Sequence, residues 1–189
     1  MTRETATISK RTESGHKRRL VEDGRDILEH DGPEALTLRA VGKAAGVSHM
    51  APYRHFDDKD DLLAAIAETG FADLAKTMQR AAESPEGPRA VGHAYIDFAR
   101  RRPALYRLMF GPVLPDRTRY PGLADAGQAA FARCVETADA TGAPASEARA
   151  IALWSLVHGL ASLLIDGRVA IDGDEDDMID AVLAVSRPV

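Results

Sequence analysis

The stretch from residue 20 to residue 56 constrains the fold most, because its apolar residues recur at helical spacing in short runs separated by helix-ending residues. The first run has an apolar stripe made of Leu20, Gly24, Ile27 and Leu28. Asp31, Gly32 and Pro33 end it, since glycine permits a turn and proline cannot continue a helix. The pattern predicts a helix over residues 17–31.

A second and a third short helix are predicted directly afterwards. Thr37 is a good N-cap for the second helix. The apolar face of that helix is Leu38, Val41, Ala44 and Ala45. Gly46 follows where helices commonly end in a left-handed turn, and Ser48 is a candidate N-cap for a third helix that ends at His55 and Phe56. Three short helices with a glycine turn between the last two are typical of a helix-turn-helix.

The rest of the chain also predicts helices, because no segment alternates strictly or carries a dense β-branched run. Residues 1–16 lack periodicity and are predicted to be a disordered polar tail. The fold class is all-α, with about nine helices in total. The remaining predicted helices cover about residues 58–82, 88–101, 103–110, 117–140, 146–167 and 174–186.

Composition and charge narrow the functional classes. Hydrophobic residues make up 45% and charged residues 28% of the chain, which favours a packed core over global disorder. Ten Lys/Arg and eight Asp/Glu fall between Met1 and Phe56, a balance of +2, which leaves −7 for the rest of a chain whose net charge is −5. The N-terminal third is therefore the region whose charge suits an approach to phosphates.

Three further features predict a cytoplasmic protein. Cys134 is the single cysteine, so no intrachain disulfide can form. The first ten residues are polar and do not resemble a signal peptide. The apolar stretch 151–165 contains Trp154 and His158 as well as serines, and we interpret it as too short and too polar for a membrane span.

A longer set of residues resembles the signature of the TetR/AcrR family of transcriptional regulators, over about residues 20–63. The matching residues, in order and at the family's spacing, are Gly32-Pro33, Ala35-Leu36-Thr37-Leu38, Val41, Ala45-Gly46-Val47-Ser48, Tyr53-Arg54-His55-Phe56, Lys59 and Leu62-Leu63. The resemblance implies a DNA-binding domain over residues 17–63 and a ligand-binding and dimerisation domain over 64–189. It further implies a homodimer that binds a palindromic operator in double-stranded DNA and responds to a small-molecule effector.

The family's binding mode assigns roles to residues of the predicted third helix and its neighbours. His49 and Met50 stand at the start of that helix, where side chains reach base edges, and Arg54 would contact a guanine or a phosphate. Phosphate contacts are predicted for Thr37, Ser48, Tyr53, His55 and Lys59. Thr37 and Ser48 would cap helices with or without DNA, and Tyr53 has a packing role as an alternative. Pro52 departs from the common family pattern and is expected to shift the entry of the helix.

The C-terminal half resembles a subgroup of the same family. Trp154, His158 and Gly159 match the motif that names the WHG-type C-terminal domain. Candidate ligand-binding residues are Tyr95, Phe98, Tyr106, Met109, Phe110, Phe131, Trp154 and His158, each with ordinary core packing as the alternative. The helix predicted at 146–167 is apolar nearly all round, so we expect it to lie partly in a dimer interface. Predicted interface residues are Ala152, Leu156, Gly159, Leu160, Leu163, Ile179, Val182 and Leu183.

Other chemistry is not supported by the sequence. The acidic run 172–177 resembles a calcium loop, but Asp177 and Leu183 replace the glycine and glutamate that such a loop needs. His93 and Asp97 share a helix face that is more typical of a solvated surface than of a metal site. No catalytic triad, phosphate-binding loop or zinc spacing is present, so we predict no enzyme and no cofactor. A sequestering protein of the same fold that has lost operator binding, and an activator in place of a repressor, remain as alternatives.

Overall fold

The computed structural model describes residues 3–114, 116–139, 147–169 and 173–185, with side chains from residue 14 onward. The described residues form eight α-helices and two single-turn 3₁₀ helices, with no strand among them, which confirms the predicted all-α class. The α-helices are α1 (Arg3–Asp31), α2 (Leu38–Ala44), α3 (Lys59–Ala82), α4 (Pro88–Arg101), α5 (Pro103–Phe110), α6 (Pro121–Asp139), α7 (Glu147–Ile165) and α8 (Glu175–Ala184).

Helix α1 begins fourteen residues earlier than the sequence predicts. It starts at Arg3, so the segment predicted to be a disordered tail continues the helix that follows it. The physical reason is that no proline interrupts residues 3–31, and extending an existing helix is much easier than nucleating a new one.

Helix α1 packs on α3 and on α2, and buried residues of all three helices belong to one apolar core. Leu20, Leu28, Leu36 and Val41 are all at most 2% exposed. Gly24 permits a close crossing, because a Cβ atom there would lie 2.9 Å from the Ile66 Cδ1 atom of α3. The domain boundary predicted at residue 63 falls inside α3, and buried residues on both sides of it belong to one continuous core.

The predicted third helix is replaced by a turn and a 3₁₀ helix over Pro52–Arg54. Proline has no N–H with which to reach the Ser48 carbonyl, so the backbone closes through i+3 bonds instead, from Ala51 N to Ser48 O (2.9 Å) and from His55 N to Pro52 O (2.9 Å). Ser48 therefore does not cap an α-helix as the sequence predicts. Gly46 adopts the predicted left-handed conformation, with φ of 67°.

Helices α4 to α7 surround α3 and enclose an aromatic interior. Gly70 of α3 lies against α5, since a Cβ there would come within 2.7 Å of the Met109 sulfur. Helix α6 begins at Pro121, four residues later than the sequence predicts, because Arg117–Arg119 form a 3₁₀ turn first. Asp174 caps α8 by accepting hydrogen bonds from the N–H groups of Asp176 (2.8 Å) and Asp177 (3.3 Å). The acidic cluster there thus begins a helix, within the described residues of that segment.

Helix α7 is less covered than a core helix of its composition would be. By length and composition it is apolar enough to cross a membrane, with mean hydropathy 1.6, and only 17% of that window is buried within the chain. Core helices of soluble proteins pass the same test of length and composition, so a single helix of this kind is weak evidence for a membrane span. A helix with this exposure also suits an interface between two subunits.

Candidate nucleic-acid interface and ligand cavities

The short helix α2 carries the first part of the candidate DNA surface. Thr37 is its N-cap, with Oγ1 accepting a hydrogen bond from Ala40 N at 3.0 Å. Thr37 is exposed, so its cap role leaves the residue at the surface. Arg39 and Lys43 are exposed on the same helix. They add positive charge where a phosphate backbone would approach.

The turn after α2 presents two large side chains to solvent. Met50 is 54% exposed and Tyr53 is 49% exposed. Both line a shallow concavity together with Arg39 and His49. Tyr53 therefore does not pack in the core, which removes the packing alternative for this residue. Arg39 is the member of this group that the sequence analysis missed; its place in the first turn of α2, on the exposed face, was the available signal.

Pro52 anchors this turn against α2. The residue is buried, and a Cβ atom on Gly42 would lie 2.9 Å from the Pro52 Cγ atom. The proline ring thus occupies the space that a larger residue at position 42 would need. This contact fixes the turn on α2 and holds the neighbouring Tyr53 outward.

Lys59 and the aromatic residue before α3 have structural contacts. The Lys59 ammonium donates a hydrogen bond to the Pro33 carbonyl at 2.7 Å, which ties the start of α3 to the α1–α2 connection. Phe56 is 2% exposed, with the Lys17 ammonium 5.6 Å from its ring centroid. The phosphate contacts of Lys59, Ser48 and His55 remain predictions, as does the contact of Arg54 with a guanine or a phosphate. Ser48 and Arg54 are exposed, and His55 is half-buried.

A hydrogen-bonded cluster lies at the centre of the C-terminal bundle. The Trp154 indole N–H donates to the Tyr95 hydroxyl at 3.1 Å. The His158 Nδ1 atom lies 2.6 Å from the Tyr106 hydroxyl and 3.0 Å from the Tyr95 hydroxyl, so a neutral His158 accepts there. Burial lowers the pKa of His158, which favours this neutral form. His158 is therefore a hydrogen-bonded interior histidine.

Two cavities flank this cluster. The outer cavity has a volume of about 710 Å³ and lies among α3, α4, α6, α7 and α8. The inner cavity has a volume of about 220 Å³ and lies among α3 to α7. Tyr95, Cys134 and Trp154 line both cavities and separate one from the other.

Half of the predicted ligand-binding residues reach these cavities. Tyr95, Phe110, Phe131 and Trp154 line the inner cavity. The other four, which do not line either cavity, are Phe98, Tyr106, Met109 and His158. Phe98, Tyr106 and Met109 are at most 8% exposed, since they face the core between α4, α5 and their neighbours. The sequence analysis missed Cys134, Arg117 and Arg149, because a single cysteine or arginine gives no motif.

Burial keeps the interior hydroxyl and thiol groups protonated. It raises the pKa of Tyr106 to about 12 and that of the Cys134 thiol to about 11, and it raises the pKa of Tyr95 far above its usual range. Near neutral pH these groups are hydrogen-bond donors without charge.

Ion pairs join α8 to α4 at the rim of the outer cavity. Asp180 accepts hydrogen bonds from Arg89 through both oxygens, and His93 Nε2 lies 2.7 Å from its Oδ1. The Arg89 contact, with that of His93, lowers the pKa of Asp180 to about 2. Arg100 adds a bond to Glu175 at 2.5 Å. His93 and Asp97 do not form a metal site together, because Asp97 pairs with Arg101. In the described part of the chain, no group of three His, Cys, Asp or Glu residues could hold a metal ion.

The outward face of α7 is apolar and built from small and branched residues. Ile151 and Leu163 are 45% and 44% exposed, and a Cβ on Gly159 would meet nothing within 4 Å. Of the predicted interface residues, Ala152 is exposed, and Leu156, Gly159, Val182 and Leu183 are half-buried. Leu160 and Ile179 are 8% and 0% exposed, so within one chain these two side chains face inward, and their interface role stays a prediction.

Comparisons with known proteins cover both halves of the chain. Residues 20–66 match the model described as bacterial regulatory proteins, tetR family, and residues 89–185 match the model described as tetracyclin repressor-like, C-terminal domain. The HTH-type transcriptional regulator Rv1816 of Mycobacterium tuberculosis H37Rv is 29% identical over 153 residues, which are 74% of this chain and 64% of that protein. The chain thus spans just under two thirds of the length of this curated relative.

Two further proteins are similar to the chain. The HTH-type nicotine-responsive transcriptional repressor HdnoR of Paenarthrobacter nicotinovorans is 27% identical over 81 residues, 43% of this chain and 42% of HdnoR. A solved structure of a protein with unknown function from Rhodococcus sp. RHA1 is 31% identical, covers 90% of this chain and 91% of its own, and has a TM-score of 0.75.

Proposed function

The chain belongs to the tetR family of bacterial regulatory proteins, as its sequence predicts, and from this premise we propose that it is a transcriptional repressor which a small-molecule ligand releases from a palindromic operator. The proposal is supported by the presence of a candidate DNA surface and a candidate ligand cavity in the same chain. An exposed turn-and-helix surface suited to DNA lies at the N-terminal end, and a helical domain with the outer cavity of about 710 Å³ lies behind it. Two of its relatives are named as transcriptional regulators, and the proposed role on DNA would place the protein in the bacterial cytoplasm.

The DNA contact would be made by the surface formed from α2 and the turn that follows it. Met50 and His49 would face base edges, while Arg39, Thr37 and Tyr53 would bind phosphates on either side. Base contacts set the sequence preference and phosphate contacts fix the position on the duplex.

Dimerisation would use the outward face of α7 with the outer side of α8. Ile151, Ser155, Gly159 and Leu163 recur every four residues on α7 and so lie along one face. The open space at Gly159 would let a second helix approach closely. Two chains related by a two-fold axis would then present two DNA surfaces to the two halves of a palindrome.

Release by a ligand would depend on contacts between the bundle and α1. Glu29 of α1 accepts hydrogen bonds from the N–H groups of Ala104 (3.2 Å) and Leu105 (2.8 Å), at the start of α5. At the other side of α5, Tyr106 bonds to His158 next to the cavities. A ligand that shifted α5 would move α1 and the DNA surface, and a coupling of ~1–3 kcal/mol would alter operator occupancy by roughly fivefold to more than a hundredfold.

Selection of random duplex DNA by the purified protein at near-physiological salt tests the proposal. We expect enrichment of one palindromic sequence. The variant Tyr53→Ala should bind it more weakly, while Arg168→Ala, a change to an exposed residue after α7, should bind like the original chain. Recovery of unselected DNA, with binding that disappears steeply as salt rises, would show phosphate contact alone and contradict the proposal.

The sequestering alternative is favoured by one observation. The segment that would enter the major groove is a turn with a 3₁₀ helix over Pro52–Arg54, in place of an α-helix. If the selection yields no sequence while a small molecule binds the bundle, this second function replaces the first. Whether operator binding represses or activates depends on where the operator lies, and a reporter gene placed behind the selected site separates the two.

A further inference from the structure

Aromatic side chains make up half of the residues that line the inner cavity, which we call the box below. Its aromatic lining residues are Phe71, Tyr95, Phe110, Phe131 and Trp154. The rings of Phe71 and Phe110 meet edge to face, with centroids 5.1 Å apart, and those of Phe131 and Trp154 do the same at 5.6 Å. Edge and face contacts of this kind are also the ones that a further aromatic ring would make.

The volume of this box suits a small ligand. It is about 220 Å³. An apolar cavity of about 150 Å³ is known to bind benzene, so the inner cavity has room for one ring and a short substituent. A ligand of several fused rings would need the outer cavity as well.

Among the described residues that line the box, one has a charged side chain. This residue is Arg117, in the 3₁₀ turn before α6, and it is half-buried. Its Nη2 atom donates to the Gly111 carbonyl at 3.2 Å. A guanidinium has five N–H donors in a fork that matches a carboxylate, so this one bond leaves most of its capacity.

The other titratable residues of this lining, Tyr95 and Cys134, do not offset that positive charge. Burial raises the pKa of the Cys134 thiol to about 11 and raises that of Tyr95 far above its usual range, so both are neutral near pH 7. An anion in the box would be attracted to the guanidinium, whereas a cation would lose its hydration and meet a like charge. The outer cavity shows no such preference, because its lining contains two arginines, Arg89 and Arg149, and two acids, Glu86 and Asp180.

We propose that the inner cavity binds a small aryl carboxylate, with its ring among the five aromatic side chains and its carboxylate on Arg117. The proposal rests on the proposed function, since it names the chemical class of the effector. Trp154 and Tyr95 line the box and contact His158 or its hydrogen-bonded neighbours, so a ligand there would touch the cluster that joins α4, α5 and α7.

Three matched compounds test the charge preference on the unmodified chain. Phenylacetate, neutral phenylacetamide and cationic phenethylamine share a ring and differ in charge. Trp154 is the single tryptophan of the chain and lines both cavities, so its fluorescence reports binding in either one. Calorimetry gives the affinity independently, and the arginine variants below tell the two cavities apart. We expect phenylacetate to bind roughly ten- to a hundredfold more tightly than the amide, because the amide lacks the charge-assisted hydrogen bonds to Arg117. The amine should bind least tightly of the three.

A pair of arginine variants locates the anchor. Arg117→Gln should reduce phenylacetate affinity roughly ten- to a hundredfold and leave phenylacetamide affinity unchanged. Arg149→Gln, which alters an arginine of the outer cavity, should leave phenylacetate affinity unchanged. Circular dichroism establishes that both variants fold, and if Arg117→Gln does not, the ranking of the three compounds on the unmodified chain decides the question.

The assignment would be overturned if phenethylamine bound as tightly as phenylacetate or more tightly. It would also be overturned if the Arg117→Gln chain bound phenylacetate as tightly as the original chain does. Absence of binding by all three compounds would also overturn it. Such a failure is distinguishable from a failure of the proposed function, because the enrichment of a palindromic DNA sequence is measured without any ligand.

Discussion

At the scale of single residues, Pro52 is the reason why only part of the candidate DNA surface has the structure predicted from the sequence. The sequence predicted Thr37 as a cap and Gly46 as a left-handed turn correctly, because both depend on local backbone geometry. It predicted a third helix wrongly, since the missing N–H of Pro52 and its contact with Gly42 act together across the turn. A family pattern describes the spacing of residues, and it does not reveal such a pairwise contact.

Because of the Gly42–Pro52 contact, we predict that Gly42→Ala destabilises the original chain but stabilises a chain that carries Pro52→Ala. In the original chain, Gly42→Ala should reduce the free energy of unfolding by about 1–2 kcal/mol, since overpacking exceeds the gain in helix propensity. In a Pro52→Ala background the same change should instead stabilise the chain by up to about 1 kcal/mol, because the proline ring is gone. Urea unfolding of all four chains measures both effects. Equal effects of Gly42→Ala in the two backgrounds would show that the contact has no energetic weight.

The buried His158 predicts a pH dependence. Burial lowers its pKa in the folded chain below the unfolded value of about 6.5, so the unfolded chain binds the proton more readily. Its contribution is therefore fully present above about pH 6.5 and is lost as the pH falls from there through the folded pKa. We expect the melting temperature of the original chain to fall more between about pH 7 and pH 5 than that of His158→Gln. Parallel curves would mean that His158 is not the group responsible.

At the scale of helices, α5 connects the cavities with α1. Its eight residues include Tyr106, which bonds to His158, and its first N–H groups are bound by Glu29. The sequence predicted the bounds of α5 correctly, since Pro103 and Gly111 mark its two ends. It could not predict the Glu29 contact, because that contact joins residues 75 and 76 positions apart.

The hydrogen bonds from α5 to Glu29 predict a loss of stability when this carboxylate is removed. Glu29→Ala should lower the free energy of unfolding by about 1–2 kcal/mol, because two N–H groups at a helix start lose their acceptor. Glu22→Ala is the matched control: its carboxylate pairs with Arg18 on the surface of the same helix, so its loss should change stability by less than about 1 kcal/mol. Chemical unfolding measures both. Equal losses in the two variants would contradict a specific role for Glu29.

At the scale of the whole molecule, binding to both halves of a palindrome would require two chains. Helix α7 has an apolar outer face that its own chain leaves exposed, and the sequence predicted this helix as an interface from its apolar residues on all sides. It could not tell which residues face outward. Leu160 and Leu163 look alike in the sequence, and only packing turns the first inward and the second outward.

In the proposed dimer the outer face of α7 lies at the interface, so Leu163→Glu should give a monomer, because a buried unpaired carboxylate there is strongly unfavourable. Val113→Glu is the control, since Val113 is 45% exposed in the connection after α5, outside the proposed interface. Sedimentation equilibrium gives the mass of both variants. A Leu163→Glu chain that remains dimeric would place the interface elsewhere.

The measurement that tests the account most directly is the binding of the protein to its selected DNA site in three forms: intact, with one half scrambled, and with five base pairs inserted between the halves. We predict two chains per intact duplex. Affinity should fall at least about a hundredfold for both altered duplexes, because a half-turn insertion places the second half-site on the opposite face of the helix. One chain per duplex, with equal affinity for all three, would contradict a dimeric operator-binding regulator.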